Sequence, residues 1–144
     1  MSRRTNAKGR STGGEKHVRL HRYLLRSPAY RSLNCYARCA LVELYDLYNG
    51  DNNGDLFMSV RSMAQRLGIA NGTAGRALDD LVDRGFIRPR QKGAFSLKVK
   101  HATSWILTEH SLADQRATKE FMRWQPTGQK QNSVSCGDTV GVMA

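Results

Sequence analysis

A chain of 144 residues with 40% hydrophobic content suits one modest domain with tails, and its 23 Lys and Arg against 12 Asp and Glu give a formal net charge of +11. No run of about 18 apolar residues occurs, which excludes a membrane-spanning helix of that length. Three cysteines, Cys35, Cys39 and Cys136, form an odd set without framework spacing, which excludes a disulfide scaffold and points to a reducing compartment.

The charge is clustered. Residues 1–31 hold nine Lys and Arg against Glu15 alone, and residues 86–101 hold five with no acid. Clustered cations gain by displacing counterions from phosphates, so a polyanion is the expected partner.

In chain order, residues 1–17 are polar and glycine-bearing and predict a disordered basic arm carrying Arg3, Arg4, Lys8 and Arg10. They lack the apolar core of a signal peptide, and a cytoplasmic, nucleoid-associated location is expected. Val18, Leu20, Leu24 and Leu25 predict a short helix within 18–26 that Ser27-Pro28 breaks. Leu33, Ala37, Ala40, Leu41, Leu44, Leu47 and Tyr48 share one stripe of a helix over 33–48, with Ser32 or Asn34 as cap. Cys39, close to that stripe, is expected in the core. With Cys35 it has no second close pair of ligands, so no metal site is expected.

The run NGDNNGD at 49–55 predicts a loop, and LFMSV at 56–60 a short strand. Ser59 caps a helix carrying Val60, Met63, Ala64 and Leu67, which Gly68 closes. In GIANGTAGRALDDL, Ala74, Ala77, Leu78 and Leu81 mark the buried face of a helix over 71–84, with Asn71 as its cap. Arg84-Gly85 stops it. Residues 86–90 and 102–108 read as strands around a basic hairpin. A weaker helix is expected over 117–124, with Phe121 and Trp124 as core anchors, before a flexible tail over 125–144. The fold class is therefore mainly α with a small antiparallel β-hairpin (α+β), in one domain over 18–124.

The stretch VRSMAQRLGIANGTAGRALDDLVDRGFIRPR resembles the reading unit of winged helix-turn-helix DNA-binding proteins through Ala64, Leu67, Gly68, Thr73, Arg76, Ala77, Leu78, Leu81, Gly85, Phe86 and Ile87. With the preceding loop and Met58-Ser59-Val60 it is similar to the helix-turn-helix units of phage and plasmid replication-associated proteins. MarR-like and GntR-like regulators share a looser version. The resemblance covers about residues 33–108 and implies double-stranded DNA as partner, with the second helix of the pair in the major groove.

That docking assigns roles. Asn71, Gly72, Thr73, Gly75 and Arg76 face the bases, with Arg76 suited to guanine and Asn71 to adenine. Gly75 would let the backbone approach DNA closely. Ser59, Arg61, Ser62 and Arg66 on the preceding helix would hold the phosphate backbone. Arg88, Arg90, Lys92, Lys98 and Lys100 on the hairpin, and Arg3, Arg4, Lys8 and Arg10 on the arm, would neutralise flanking phosphates or enter a minor groove. The slot where the family places a Ser or Thr cap holds Ala70, hence the assignment of the cap to Asn71.

The expected function is a sequence-specific transcription regulator. A replication or maintenance factor of a phage- or plasmid-type element fits the same residues. An RNA-binding or protein-interaction winged helix is a third reading, disfavoured by the lack of clustered aromatics for stacking bases. No nucleophile motif, phosphate-binding loop, cofactor or small-molecule effector is evident, and catalysis is not expected. The helices over 33–48 and 117–124 are candidate surfaces for a homodimer.

Overall fold

The structure, a computed structural model, describes residues 15–91, 95–96, 99–100 and 102–126. Two short helices come first, α1 (Arg22–Arg26) and α2 (Pro28–Ser32). Ser27-Pro28 ends the first as expected, yet it also begins the second, which the sequence reading missed. The Ser27 hydroxyl accepts from the Tyr30 N–H, and Pro28 occupies the first helical position, where its missing donor is harmless.

Helix α3 (Cys35–Leu47) starts at Asn34, whose side-chain oxygen accepts from the Ala37 N–H at 2.9 Å. Ala37, Ala40, Leu41, Leu44 and Tyr45 are buried on its inner face. Cys39 is exposed, so the expectation of a core cysteine is wrong. It lies beside Ala40 but a helical turn of about 100° per residue carries it past the edge of the buried stripe.

Strand β1 (Leu56–Phe57) leads into α4 (Val60–Leu67). Ser59 caps α4 through the Ser62 N–H at 3.0 Å, and Gly68 closes it with φ of 65°. Both assignments hold. Only Ile69 and Ala70 separate Gly68 from α5 (Asn71–Asp83), which buries Ala74, Ala77, Leu78 and Leu81. The cap of α5 is Ala70, without a side-chain bond, and Asn71 is the first helical residue. The assignment of Asn71 as cap is therefore corrected: the backbone of Ala70, at ψ of 149°, makes the turn into the helix and its carbonyl takes the first bond, from Ala74 N–H.

Strands β2 (Ile87–Gln91) and β5 (Ser104–Leu107) pair antiparallel, and β1 adds to the other edge of β5. The result is a mainly helical α+β molecule with a three-stranded antiparallel sheet in the order β1-β5-β2. Pro89 is tolerated because β2 is an edge strand, and the register slips between Pro89 and Gln91. Strands β3 (Phe95–Ser96) and β4 (Val99–Lys100) form a second, two-stranded ladder between β2 and β5 in the chain.

The core is one cluster that joins the inner faces of α3, α4 and α5 to Leu56, Phe86, Ile87, Trp105 and Leu107 of the sheet region. Phe121 completes it, stacked on Phe86 at 4.8 Å between centroids. The expected helix over 117–124 is instead a single turn, Glu120–Met122. Lys119 adopts a left-handed φ of 46° so that its N–H reaches the Thr108 carbonyl at 2.8 Å, and this breaks the helix before it can propagate. Both expected anchors are in place: Phe121 is buried, and Trp124 packs half-buried under the Arg84 guanidinium. Among the described residues no helix is long and apolar enough to cross a membrane.

Candidate functional site

Helix α5 is amphipathic in a particular way. Its inner face is all Ala and Leu, while its outer face begins with Asn71 and Gly72, exposed, followed by half-buried Thr73 and exposed Arg76. With no side chain capping its start, the N–H groups of Asn71, Gly72 and Thr73 have no partner within the helix. The Arg76 Nε donates to the Gly72 carbonyl at 3.3 Å, and its guanidinium makes no ion pair among the described residues. Thr73, Arg76, Asp79 and Asp80 line an open groove against Asn34 and Tyr36 at the start of α3. Sequence reasoning did not find Tyr36, an exposed aromatic, because its neighbours on α3 only come to lie beside α5 in the fold.

Gly72 and Gly75 differ. A side chain at Gly72 would meet open space, whereas a Cβ at Gly75 would touch Val60 Cγ1 on α4 at 3.7 Å. Gly75 is thus half-buried against the start of α4, and the close approach there is between two helices.

The expected cations divide sharply. Arg61 is exposed and unpaired among the described residues. Arg66 is turned inward along the surface to Glu43 at 3.1 Å and Asp46 at 3.9 Å, both on α3. Arg88 pairs with Glu120 at 3.3 Å and Arg90 with Asp55 at 3.0 Å. The hairpin segment has no acid of its own, and the fold brings these two to it from the loop before β1 and the turn after β5. Such exposed pairs are worth about 0–1 kcal/mol, so they bias these arginines without locking them. Ser59 and Ser62 hydrogen-bond each other at 2.8 Å at the start of α4. Arg3, Arg4, Lys8, Arg10, Lys92 and Lys98 lie outside the described residues, as does the side chain of Lys100.

Comparison of the chain with protein-family models, curated proteins and solved structures finds no match.

A second polar constellation sits at the opposite end of α3. The Glu109 carboxylate is buried, takes His21 Nδ1 at 2.7 Å and accepts the Tyr45 hydroxyl. Burial and the hydrogen bond to Glu109 raise the pKa of Tyr45, so its hydroxyl stays a donor. The His110 ring stacks on Tyr48 at 4.2 Å, and burial pushes its pKa below the ordinary 6.5. Asn53 from the NGDNNGD loop is buried and holds the Leu107 N–H and the carbonyls of Leu107, His110 and Ser111 at 2.8–3.1 Å. These groups satisfy one another and fasten the N-terminal segment, α3 and the end of β5 together. Among the described residues no three His, Cys, Asp or Glu side chains converge as a metal ion requires.

Proposed function

We infer that this chain is a winged helix-turn-helix protein that binds double-stranded DNA sequence-specifically, with α5 in the major groove. The observation that carries the reading is the α4–α5 unit. Two packed helices are joined by three residues with a left-handed Gly68 at the first, and the second helix ends outward in uncapped N–H groups and an unpaired arginine. That turn length and glycine are those of a helix-turn-helix, whose second helix offers its N-terminal residues to base edges. Free N–H groups at a helix start attract phosphate, and an arginine one turn further matches guanine O6 and N7.

The hairpin of β2 and β5 is the wing in this reading. Its arginines exchange Glu120 and Asp55 for phosphates on binding, and the basic N-terminal segment adds sequence-independent affinity. The protein then acts as a transcription regulator, by occupying its site.

Selection of bound duplexes from a randomised pool, with the full chain at physiological salt, tests the reading. Enrichment of one sequence containing guanine is expected, and Arg76→Ala relaxes the preference at that guanine. Equal retention of selected and random duplexes contradicts it.

A further inference from the structure

One turn beyond Arg76, the outer face of α5 carries a carboxylate that the fold leaves unused. Asp79 is exposed and has no hydrogen bond or ion pair among the described residues. Its neighbour Asp80 is occupied, by Arg84 at 3.2 Å and by the Asn34 side-chain N–H at 3.5 Å. Arg76 lies three residues before Asp79, within reach of it on a helix, yet turns the other way to the Gly72 carbonyl. Cation and acid therefore stay separate while lining the same groove with Thr73 and Tyr36.

A free carboxylate on a face that meets DNA is repelled by phosphates, so it weakens binding everywhere except opposite a donor. In the major groove cytosine offers the N4 amino donor and adenine an N6 donor beside an N7 acceptor that repels a carboxylate, while guanine and thymine offer acceptors that a carboxylate cannot pair with. Three residues of helix rise about 4.5 Å, comparable to the rise of about 3.4 Å between base pairs. The two side chains are thus spaced for neighbouring pairs.

Resting on the assignment of α5 as the DNA-reading helix, we propose that Asp79 is a specificity-determining residue that accepts a hydrogen bond from cytosine N4 at the step next to the guanine read by Arg76. Its role is largely exclusion. It lowers affinity for wrong sequences more than it raises affinity for the right one.

Pool selection with the full chain, followed by titration of single-base variants of the selected duplex, tests this on wild type, Asp79→Ala, Asp79→Asn and Asp83→Asn. Wild type is expected to favour cytosine beside guanine by roughly 5- to 150-fold, the range of a good base contact. Asp79→Ala loses that preference alone and binds random duplex a few-fold more tightly. Asp79→Asn moves the preference to adenine, because a carboxamide pairs with N6 and N7. A misfolded variant cannot produce that switch. Asp83→Asn keeps the wild-type preference. If Asp79→Ala retains full cytosine preference, or loses selectivity evenly at all positions, the role of Asp79 is overturned while α5 keeps its own. A wild-type chain that selects no sequence overturns both.

Discussion

Helices α3 and α5 have the same length, 13 residues, and pack against each other, but they are built to different ends. Helix α3 has a side-chain cap, no glycine, and a fastening at its far end through Tyr45, Tyr48 and the buried Glu109. Helix α5 has no side-chain cap, two glycines in its first five residues, and an outer face whose polar groups are mostly unspent. Each buries two alanines and two leucines on its inner face, to which α3 adds Tyr45. The difference teaches that α5 is stabilised from one side only, which leaves its first turn and outer face open to a ligand.

The matching Ala and Leu positions predict similar and large losses. Leu41→Ala on α3 and Leu78→Ala on α5 should each destabilise by about 3 kcal/mol, read by urea denaturation, since both side chains are buried. A much smaller loss at Leu78 would mean that α5 is loosely held, breaking the symmetry assumed for the core.

The capped and uncapped starts should respond in opposite directions. Asn34→Ala should cost about 1 kcal/mol, and Ala70→Ser should add roughly 0.5–1 kcal/mol by accepting the Thr73 N–H. If those N–H groups take a phosphate, Ala70→Ser should also weaken binding to every duplex a few-fold, measured by fluorescence anisotropy. Tighter binding would show that the open start of α5 has no part in it.

Gly75→Ala should stabilise by roughly 0.5–0.9 kcal/mol, because the added methyl meets Val60 at ordinary contact distance. Duplex affinity should stay as it is. A loss of affinity there would restore Gly75 as a point of close DNA approach.

The smallest effect belongs to the far end of α3. Burial lowers the folded pKa of His110 below its unfolded 6.5. The unfolded chain therefore takes up the proton first. This contribution to stability is intact above pH 6.5 and is lost as pH falls below it towards the folded value. His110→Gln should remove that component from the pH profile of the melting temperature and leave α5 unaffected.

Much of this division was legible in the residues. The 3.6-residue spacing of Ala74, Ala77, Leu78 and Leu81, the Ser59 cap and the Gly68 stop are local signals, and the chain obeys them. Long-range pairings were not legible. Nothing near Arg88 or Arg90 announces Glu120 or Asp55, and nothing near Asn53 announces the three carbonyls that bury it. Lys119 illustrates the same limit. Its surroundings favour a helix, and a single tertiary bond to Thr108 overrides them. At the candidate site periodicity places Arg76 on the outer face of α5 and the family resemblance implies its role, but the free state of Asp79 depends on where Arg76 and Arg84 turn.

The central claim is that the first turn and outer face of α5 meet duplex DNA. Backbone amide NMR shifts of the full chain, titrated with a selected duplex, test it most directly. The largest changes are expected at Asn71, Gly72, Thr73 and Arg76, with the Glu109 end of α3 unmoved. Saturable binding with those four amides unchanged would contradict the claim.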